Sequence, residues 1–119
     1  MNEKKWDQID VELAAEAMCL VVEEHCRAAV TAATGIALET TAAEATAHLV
    51  RADEWTERGR AVCLCLSNLA EHYGAVEALV MAEEAVKRLS KATRSVALMH
   101  RVHAGTLPYQ WAEDGRGSD

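Results

Sequence analysis

The chain has 119 residues, of which 50% are hydrophobic and 26% are charged, and its formal net charge is −7. This length allows one domain with a single modest core, and the composition excludes a disordered chain. Phosphate backbones repel an acidic chain, so no direct nucleic-acid partner is expected. We predict a single all-α domain over residues 1–119.

Targeting and membrane segments are not predicted. The chain has no uncharged apolar run of 18 residues, so no membrane partner is expected. Its first ten residues, MNEKKWDQID, lack the apolar stretch of a secretory signal. These features predict a cytoplasmic protein whose four cysteines are reduced.

The first predicted helix follows a frayed segment, residues 1–6. Asp7 is suited to cap it, and Gly35 to end it as the residue just after the helix. Apolar and small residues at helical spacing predict the row that faces the core. This row contains Ile9, Leu13, Ala17, Leu20, Ala28 and Thr31.

Residues 41–73 predict a long middle helix. Thr41 and Glu44 fit a capping box, with Thr40 as a competing cap. Gly59 lowers helix propensity, so a kink or short break at 57–60 is an alternative to a continuous helix. Its predicted core stripe is Ala42, Ala45, Leu49, Ala52, Trp55, Gly59, Val62, Leu66, Leu69 and Tyr73.

The third predicted helix follows Gly74 and runs from about Ala75 to His103, with Gly105 and Pro108 ending it. Residues 74–105 form the only mildly basic part of the chain, with five basic and three acidic side chains. A disordered tail is predicted from about residue 113. The predicted core stripe is Ala75, Leu79, Ala82, Val86, Leu89, Thr93 and Val96.

Three runs, 17–22, 61–66 and 78–82, are apolar on more than one side of their helices. Either alanines crowd the core there, or a second chain covers the surplus, as a homodimer partner or a client. We predict three long helices in an antiparallel bundle, or an αα-hairpin plus an N-terminal helix, and a homodimer. The predicted dimer or partner interface is Trp55, Val62, Leu66, Leu69, Tyr73, Met18 and Val22.

Aromatic side chains are few, and interfaces concentrate binding energy in such residues. Trp6, Tyr109 and Trp111 lie outside the predicted helices. They either fold back onto the bundle as lids or serve as anchors for a partner.

No pattern in the chain predicts catalysis or a cofactor. Cys63 and Cys65 are two residues apart, so on a helix they point about 200° apart and do not chelate one ion. His100 and His103 suit a helix C-terminus for structural reasons. We therefore predict a non-enzymatic protein without catalytic, metal or cofactor-binding residues. A metal-binding bundle that uses His and Cys from several helices is the alternative.

The stretch from Val30 to Leu89 resembles a family of small helical bacterial proteins of uncharacterised function. The connector Thr34-Gly35-Ile36-Ala37-Leu38-Glu39 carries this resemblance, because it leads into an alanine-rich helix followed by an acidic amphipathic one. Chain length and the cysteine-bearing helix also resemble the QslA-type quorum-sensing antiactivators. That resemblance implies binding to a LuxR-type (LasR-like) transcription activator, blocking its dimerisation and DNA binding. A generic helical adaptor, or a neutralising partner of another protein, is the alternative.

Overall fold

The computed structural model describes residues 6–38 and 41–105. They form three long α-helices: α1 (Gln8–Thr34), α2 (Ala42–Tyr73) and α3 (Val76–Ala104). A short 3-10 helix (Gly35–Leu38) follows α1. The prediction of an all-helical chain with three long helices is confirmed for the described residues, which contain no strand. None of their helices is long and apolar enough to cross a membrane.

The helices begin at the predicted caps. The Asp10 amide donates to Asp7 Oδ1 at 2.8 Å, and the Asp7 amide donates back to Asp10 Oδ2 at 3.3 Å, which completes a capping box on α1. The Glu44 amide donates to Thr41 Oγ1 at 3.0 Å, so Thr41 is the cap of α2. These bonds satisfy amides that the first turn leaves without helical partners.

As predicted, glycines end α2 and α3. The glycine that follows α1 has a different conformation. Gly74 (φ 59°) and Gly105 (φ 75°) are left-handed, a conformation that glycine adopts without a Cβ penalty. Gly35 is right-handed (φ −60°) and starts the 3-10 helix instead. Its lack of a Cβ has another use: a Cβ there would lie 3.1 Å from the His48 imidazole of α2.

Neighbouring residues on different helices show how the helices run. Asp53 of α2 bonds to His100 of α3, and Gly59 lies beside Leu89, so α2 and α3 are antiparallel. The Cys19 thiol on α1 donates to the Met81 carbonyl of α3 at 3.6 Å. The Arg88 guanidinium of α3 lies 3.2 Å from the Glu23 carboxylate of α1. Both residues lie at least one helical turn beyond the Cys19–Met81 contact, towards the C-terminus of their helix. Helices α1 and α3 are therefore parallel, and α2 runs against both.

The buried residues recur at alternating steps of three and four, which is the spacing of a helix-bundle seam. On α2 they are Ala45, Leu49, Ala52, Thr56, Gly59, Cys63, Leu66 and Ala70. On α3 they are Ala78, Ala82, Ala85, Leu89, Ala92 and Val96. Most of these side chains are small, so the helix axes come close together.

The core row predicted for α1 is wrong. Ile9, Leu13 and Leu20 are 66%, 59% and 62% exposed, and Ala17 and Thr31 are exposed as well. The helix buries the opposite row instead, which consists of Val11, Ala15, Val22, Ala29 and Ala33. Both rows fit a helical period, and the bundle takes the one whose smaller side chains allow closer approach.

The stripe predicted for α3 is right at some positions and wrong at others. Ala82, Leu89 and Val96 are buried, as predicted. Leu79 and Val86 are exposed, because the alanine next to each in the sequence takes the core position. The α2 stripe is buried or half-buried throughout except at Ala42, which is exposed.

The helix α2 passes through Gly59 without the break considered for residues 57–60. A Cβ at Gly59 would lie 3.0 Å from Leu89 Cδ1 and 3.7 Å from His25 Cβ. Gly59 is thus the point where α1 and α3 both approach α2. Its cost in helix propensity, about 1 kcal/mol relative to Ala, is offset by this close packing.

The predicted frayed segment, apart from Trp6, and the predicted disordered tail lie outside the described residues. The same holds for Pro108, Tyr109 and Trp111.

Candidate interaction surface

The outward face of α1 carries an apolar surface made by Ile9, Leu13 and Leu20, which we call the α1 patch. These three side chains lie on one side of the helix, directly opposite the row that packs in the core. The part of α1 that contains the patch, residues 8–26, has five acidic side chains and no Lys or Arg. The α1 patch is therefore an apolar surface with an acidic border.

A second apolar surface lies between α2 and α3, on the side of the bundle away from α1. We call it the α2–α3 groove. Leu64 of α2 and Leu79 and Val86 of α3 are its large apolar side chains, and Leu64 is 62% exposed. Ser67, Ser90 and Ala97 widen it, because their side chains are small. Two adjoining depressions of about 530 and 560 Å³ follow its length.

The residues predicted as a dimer or partner interface lie within the bundle instead. Leu66 and Val22 are fully buried in the core of the single chain. The others are half-buried between α1 and α2, packed against that core: Met18, Val62, Leu69 and Tyr73 at one end, and Trp55 near the other. The Trp55 ring lies 5.2 Å from the His25 ring of α1 and holds the Arg58 guanidinium 4.8 Å above it. These side chains pack α1 against α2, and the half-buried ones keep part of their surface exposed.

Trp6 lies on the bundle. Its ring is nearly parallel to that of Tyr73, with 6.1 Å between centroids and 7° between planes. This stacking closes the space between the start of α1 and the end of α2, which is the lid arrangement considered for it. Trp6 keeps 41% of its surface exposed, so its outer side extends the apolar area at that end.

Three of the four cysteines share the interior. Cys63 is buried, and Cys19 and Cys26 are half-buried against the same core, whereas Cys65 is exposed on the other side of α2. Burial is the main cause that raises the pKa of all three inner thiols, and the neighbouring Cys26 and Cys19 raise the pKa of Cys63 further. Protonated thiols are poor nucleophiles and poor metal ligands.

The histidines of α3 link it to α2. His100 Nε2 lies 3.1 Å from both carboxylate oxygens of Asp53, and His103 Nε2 lies 3.2 Å from Thr46 Oγ1. Each is thus positioned by its own partner on α2. Across residues 6–38 and 41–105, no group of three or more His, Cys, Asp or Glu side chains is arranged to hold a metal ion.

The groove between α1 and α3 is charged. Glu23 and Glu84 alternate there with Arg27, Arg88 and Lys91. Arg88 pairs with Glu23 across the helices, and Arg27 pairs with Glu24 at 2.8 Å on α1. Opposite charges meet on this side, so it is solvated rather than apolar.

Most of the exposed residues of the two apolar surfaces were predicted to lie in the core, so the sequence did not identify them as surface residues. One signal in the sequence was available. On α3, small residues at the same three-four spacing run beside Leu79 and Val86, since Ala78 precedes the one and Ala85 the other. Two such rows predict one inner and one outer face.

Comparison with known proteins adds no relative: no family model, no curated protein and no solved structure matches the chain.

Proposed function

We propose that this chain is a non-enzymatic regulator that acts by binding another protein through the α1 patch. The observation that carries the proposal is the exposure of Ile9, Leu13 and Leu20, each of which keeps more than half of its surface free. Burying one such side chain in an interface contributes about 1.5–3 kcal/mol. An apolar helical face with polar borders is the usual form of a groove-binding helix.

The border of the patch indicates the chemistry of its partner. Asp10, Glu12 and Glu16 surround the apolar side chains, and Arg or Lys first appears on α1 at Arg27. A partner surface that is apolar at its centre and basic at its edge complements this arrangement. Two copies of the patch, by contrast, would bring like charges together.

The class of client comes from the resemblance to quorum-sensing antiactivators. We propose a LuxR-type (LasR-like) activator as the client, with the α1 patch covering the surface through which that activator dimerises. Such activators bind DNA as dimers, so a covered dimerisation surface abolishes DNA binding. The acidic character of the chain supports sequestration of the activator over competition for DNA.

Self-association is a second part of the proposal. The α2–α3 groove exposes Leu64 and Val86 on the side away from α1. A homodimer formed there leaves both α1 patches free, so one dimer holds two client molecules.

The test is a DNA-binding titration. A purified LuxR-type activator is bound to fluorescent operator DNA, the chain is added, and anisotropy is recorded. We expect the wild-type chain to release the DNA, and Leu13→Glu to weaken this effect tenfold or more, which corresponds to the loss of one buried apolar side chain.

The matched control is Val50→Glu, which changes an apolar side chain of similar exposure on the outer face of α2. We expect it to release DNA as the wild-type chain does. Unchanged DNA binding in the presence of the wild-type chain would refute the proposed client. Equal loss with Leu13→Glu and Val50→Glu would refute the α1 patch as the binding surface.

A further inference from the structure

Helix α3 has an outward row of its own, which we call the α3 row. Every residue of this row is exposed, and the row lies on the side of α3 opposite the side chains that it buries. The row carries four cations and one anion around Leu98, which is 41% exposed. Its members are Glu84, Lys87, Lys91, Arg94, Leu98 and Arg101.

A second row, the α1 row, extends the α1 patch along the outer side of α1. It consists of the three apolar side chains of the patch together with Glu16, Glu24 and Arg27, which are all exposed. Each row covers about five helical turns, and its members recur at steps of three and four. Such steps are those of the seam through which two helices pack.

The two rows match when they run antiparallel. With Leu13 level with Leu98, every other member of the α1 row comes level with a member of the α3 row to within one residue, which is ~1.5 Å. Leu20 then lies along the aliphatic stem of Lys91, as long cationic side chains allow. The charged pairs formed in this register are Glu16 with Arg94, Glu24 with Lys87, and Arg27 with Glu84.

From this match we infer that the α3 row of a second copy covers the α1 patch, with the two helices antiparallel, and that the client displaces it. The α3 row is apolar at its centre and basic around it, which is the chemistry that the acidic border of the patch favours. Two α1 rows would bring carboxylates together, and two α3 rows would bring cations together. Each row therefore fits the other kind of row.

The direction follows from the same side chains. Paired in parallel over the same length, the rows set Arg27 against Arg101. Leu98 then faces Glu24, so that pairing loses both the charge match and the apolar contact. The antiparallel register has neither fault.

The ion pairs within each copy fit the contact without being broken. On α1, Arg27 lies 2.8 Å from Glu24, and on α3, Lys87 lies 3.9 Å from Glu84. In the antiparallel register the two pairs lie side by side and each carboxylate faces a cation, so the four charges alternate in sign. Exposed charges of this kind contribute little affinity, so they set the direction while the leucines contribute most of the free energy.

The contact joins two different surfaces, so it does not close on itself. Copies add head to tail, and each assembly keeps one uncovered α1 patch at its end. A single pair of helices gives an interface below about 1,200 Å², the size of a transient one. A client that buries more area can therefore take the patch from the second copy. This competition rests on the proposed function, whereas the contact between copies does not.

Sedimentation velocity of the full chain from micromolar to millimolar concentration tests the contact. Leu64→Glu is present throughout, to remove self-association through the α2–α3 groove. We expect the mass of this chain to rise past that of a dimer, because a head-to-tail contact does not close. Val50→Glu is the matched control, since Val50 is 50% exposed and lies outside both rows, and it should leave the assembly unchanged. Circular dichroism checks that each variant keeps its helices.

Two further variants separate the two sides of the contact. Leu13→Glu blocks the α1 row and Leu98→Glu blocks the α3 row, so each should raise the dissociation constant about tenfold or more. Mixed in equal amounts, they should form a one-to-one dimer and nothing larger. In that mixture, the intact α1 row of one variant binds the intact α3 row of the other.

A charge exchange tests the antiparallel register. Glu24→Lys and Lys87→Glu should each weaken the assembly, and the chain that carries both should recover it, because the pair is restored with its signs reversed. Glu24→Lys combined with Arg94→Glu is the control. These two positions are ~10 Å apart along the helices in this register, so that chain should not recover.

Three results would overturn the contact: a Leu64→Glu chain that stays monomeric at millimolar concentration, an assembly that neither Leu13→Glu nor Leu98→Glu weakens, or two such variants that do not pair when mixed. Added activator should disperse the assemblies, and assemblies that bind it without dispersing would overturn the competition. Head-to-tail assembly that leaves activator–DNA binding unchanged refutes only the client. Release of the DNA by a chain that does not assemble refutes only the contact between copies.

Discussion

The two halves of the bundle are held together differently. In the half next to the α2–α3 turn, the core contains the three largest fully buried side chains, Leu66, Val11 and Val22. Ten of the twelve large apolar side chains that the described residues expose lie in that half. The other half has a smaller core around Leu49 and Val96 and exposes only two, Val50 and Leu98.

Polar links replace apolar area in the half away from the turn. There, Asp53 and Thr46 of α2 bond to the two histidines of α3, and the His48 ring packs against Gly35. Groups linked in this way are satisfied within the chain, whereas surplus apolar side chains gain free energy only when another surface covers them. The exposed apolar side chains, and with them the α1 patch and the apolar part of the α2–α3 groove, are therefore concentrated in the half next to the turn.

Removing the largest buried side chain of the turn half should have the largest effect. We expect Leu66→Ala to lower the free energy of unfolding by about 2–5 kcal/mol, because it leaves a cavity between three helices. Urea unfolding followed by circular dichroism measures this loss. Leu13→Ala is the control, and an exposed leucine should change stability by no more than about 0.5 kcal/mol. Equal losses in the two variants would show that α1 does not pack with the face described.

Breaking the polar link of the other half should have a smaller effect. Asp53→Ala removes the contact with His100, whose side chain is 43% exposed, so we expect a loss of no more than about 1 kcal/mol. Glu54→Ala is the control on the neighbouring exposed position. If Asp53→Ala lowered the free energy of unfolding as much as Leu66→Ala, the polar links would contribute as much to stability as the apolar core, which contradicts this prediction.

The thiols should show the smallest effect, at alkaline pH. Burial raises the pKa of Cys19, Cys26 and Cys63 in the folded chain above the ordinary thiol value of 9.0. The unfolded chain therefore loses these protons at lower pH than the folded chain does. Their contribution to stability is complete below about pH 9 and is lost as the pH rises through the folded pKa values.

Measuring the free energy of unfolding from about pH 7 upward tests the direction of this pH dependence. The free energy of unfolding of the wild type should fall above about pH 9, and that of Cys63→Ala should fall less steeply. Cys65→Ala, which removes the exposed thiol, should keep the wild-type slope. A thiol reagent should modify Cys65 first in the folded chain. Modification of Cys63 as fast as Cys65 would contradict the burial of the inner thiols.

The sequence predicted the elements well, since caps and helix ends are local. Asp7, Thr41, Gly74 and Gly105 each act through their own backbone and the next few residues, so no distant part of the chain was needed to recognise them. The opposite orientations of Cys63 and Cys65 followed from the helical repeat alone. Gly35 was the exception, because the approach of His48 from another helix depends on the tertiary fold.

The faces of the helices were less predictable. On α1 the row Ile9, Leu13, Leu20 and the opposite row around Val11 and Val22 both have helical spacing, and hydrophobicity favoured the leucines. Their exposure depends on how closely three helices pack, which is set by all three together.

By itself, then, the sequence determined a single all-helical chain with three long helices, their caps and their ends, because these depend on backbone groups within one turn. Only the tertiary structure decided that the inner rows of α1 and α3 consist mostly of alanines, while Ile9, Leu13, Leu20, Leu79 and Val86 stay outside. Small side chains let three helix axes approach at once, and the dense packing of the three backbones outweighs the burial of a larger row that fits only one neighbour. That choice creates the α1 patch and the α2–α3 groove.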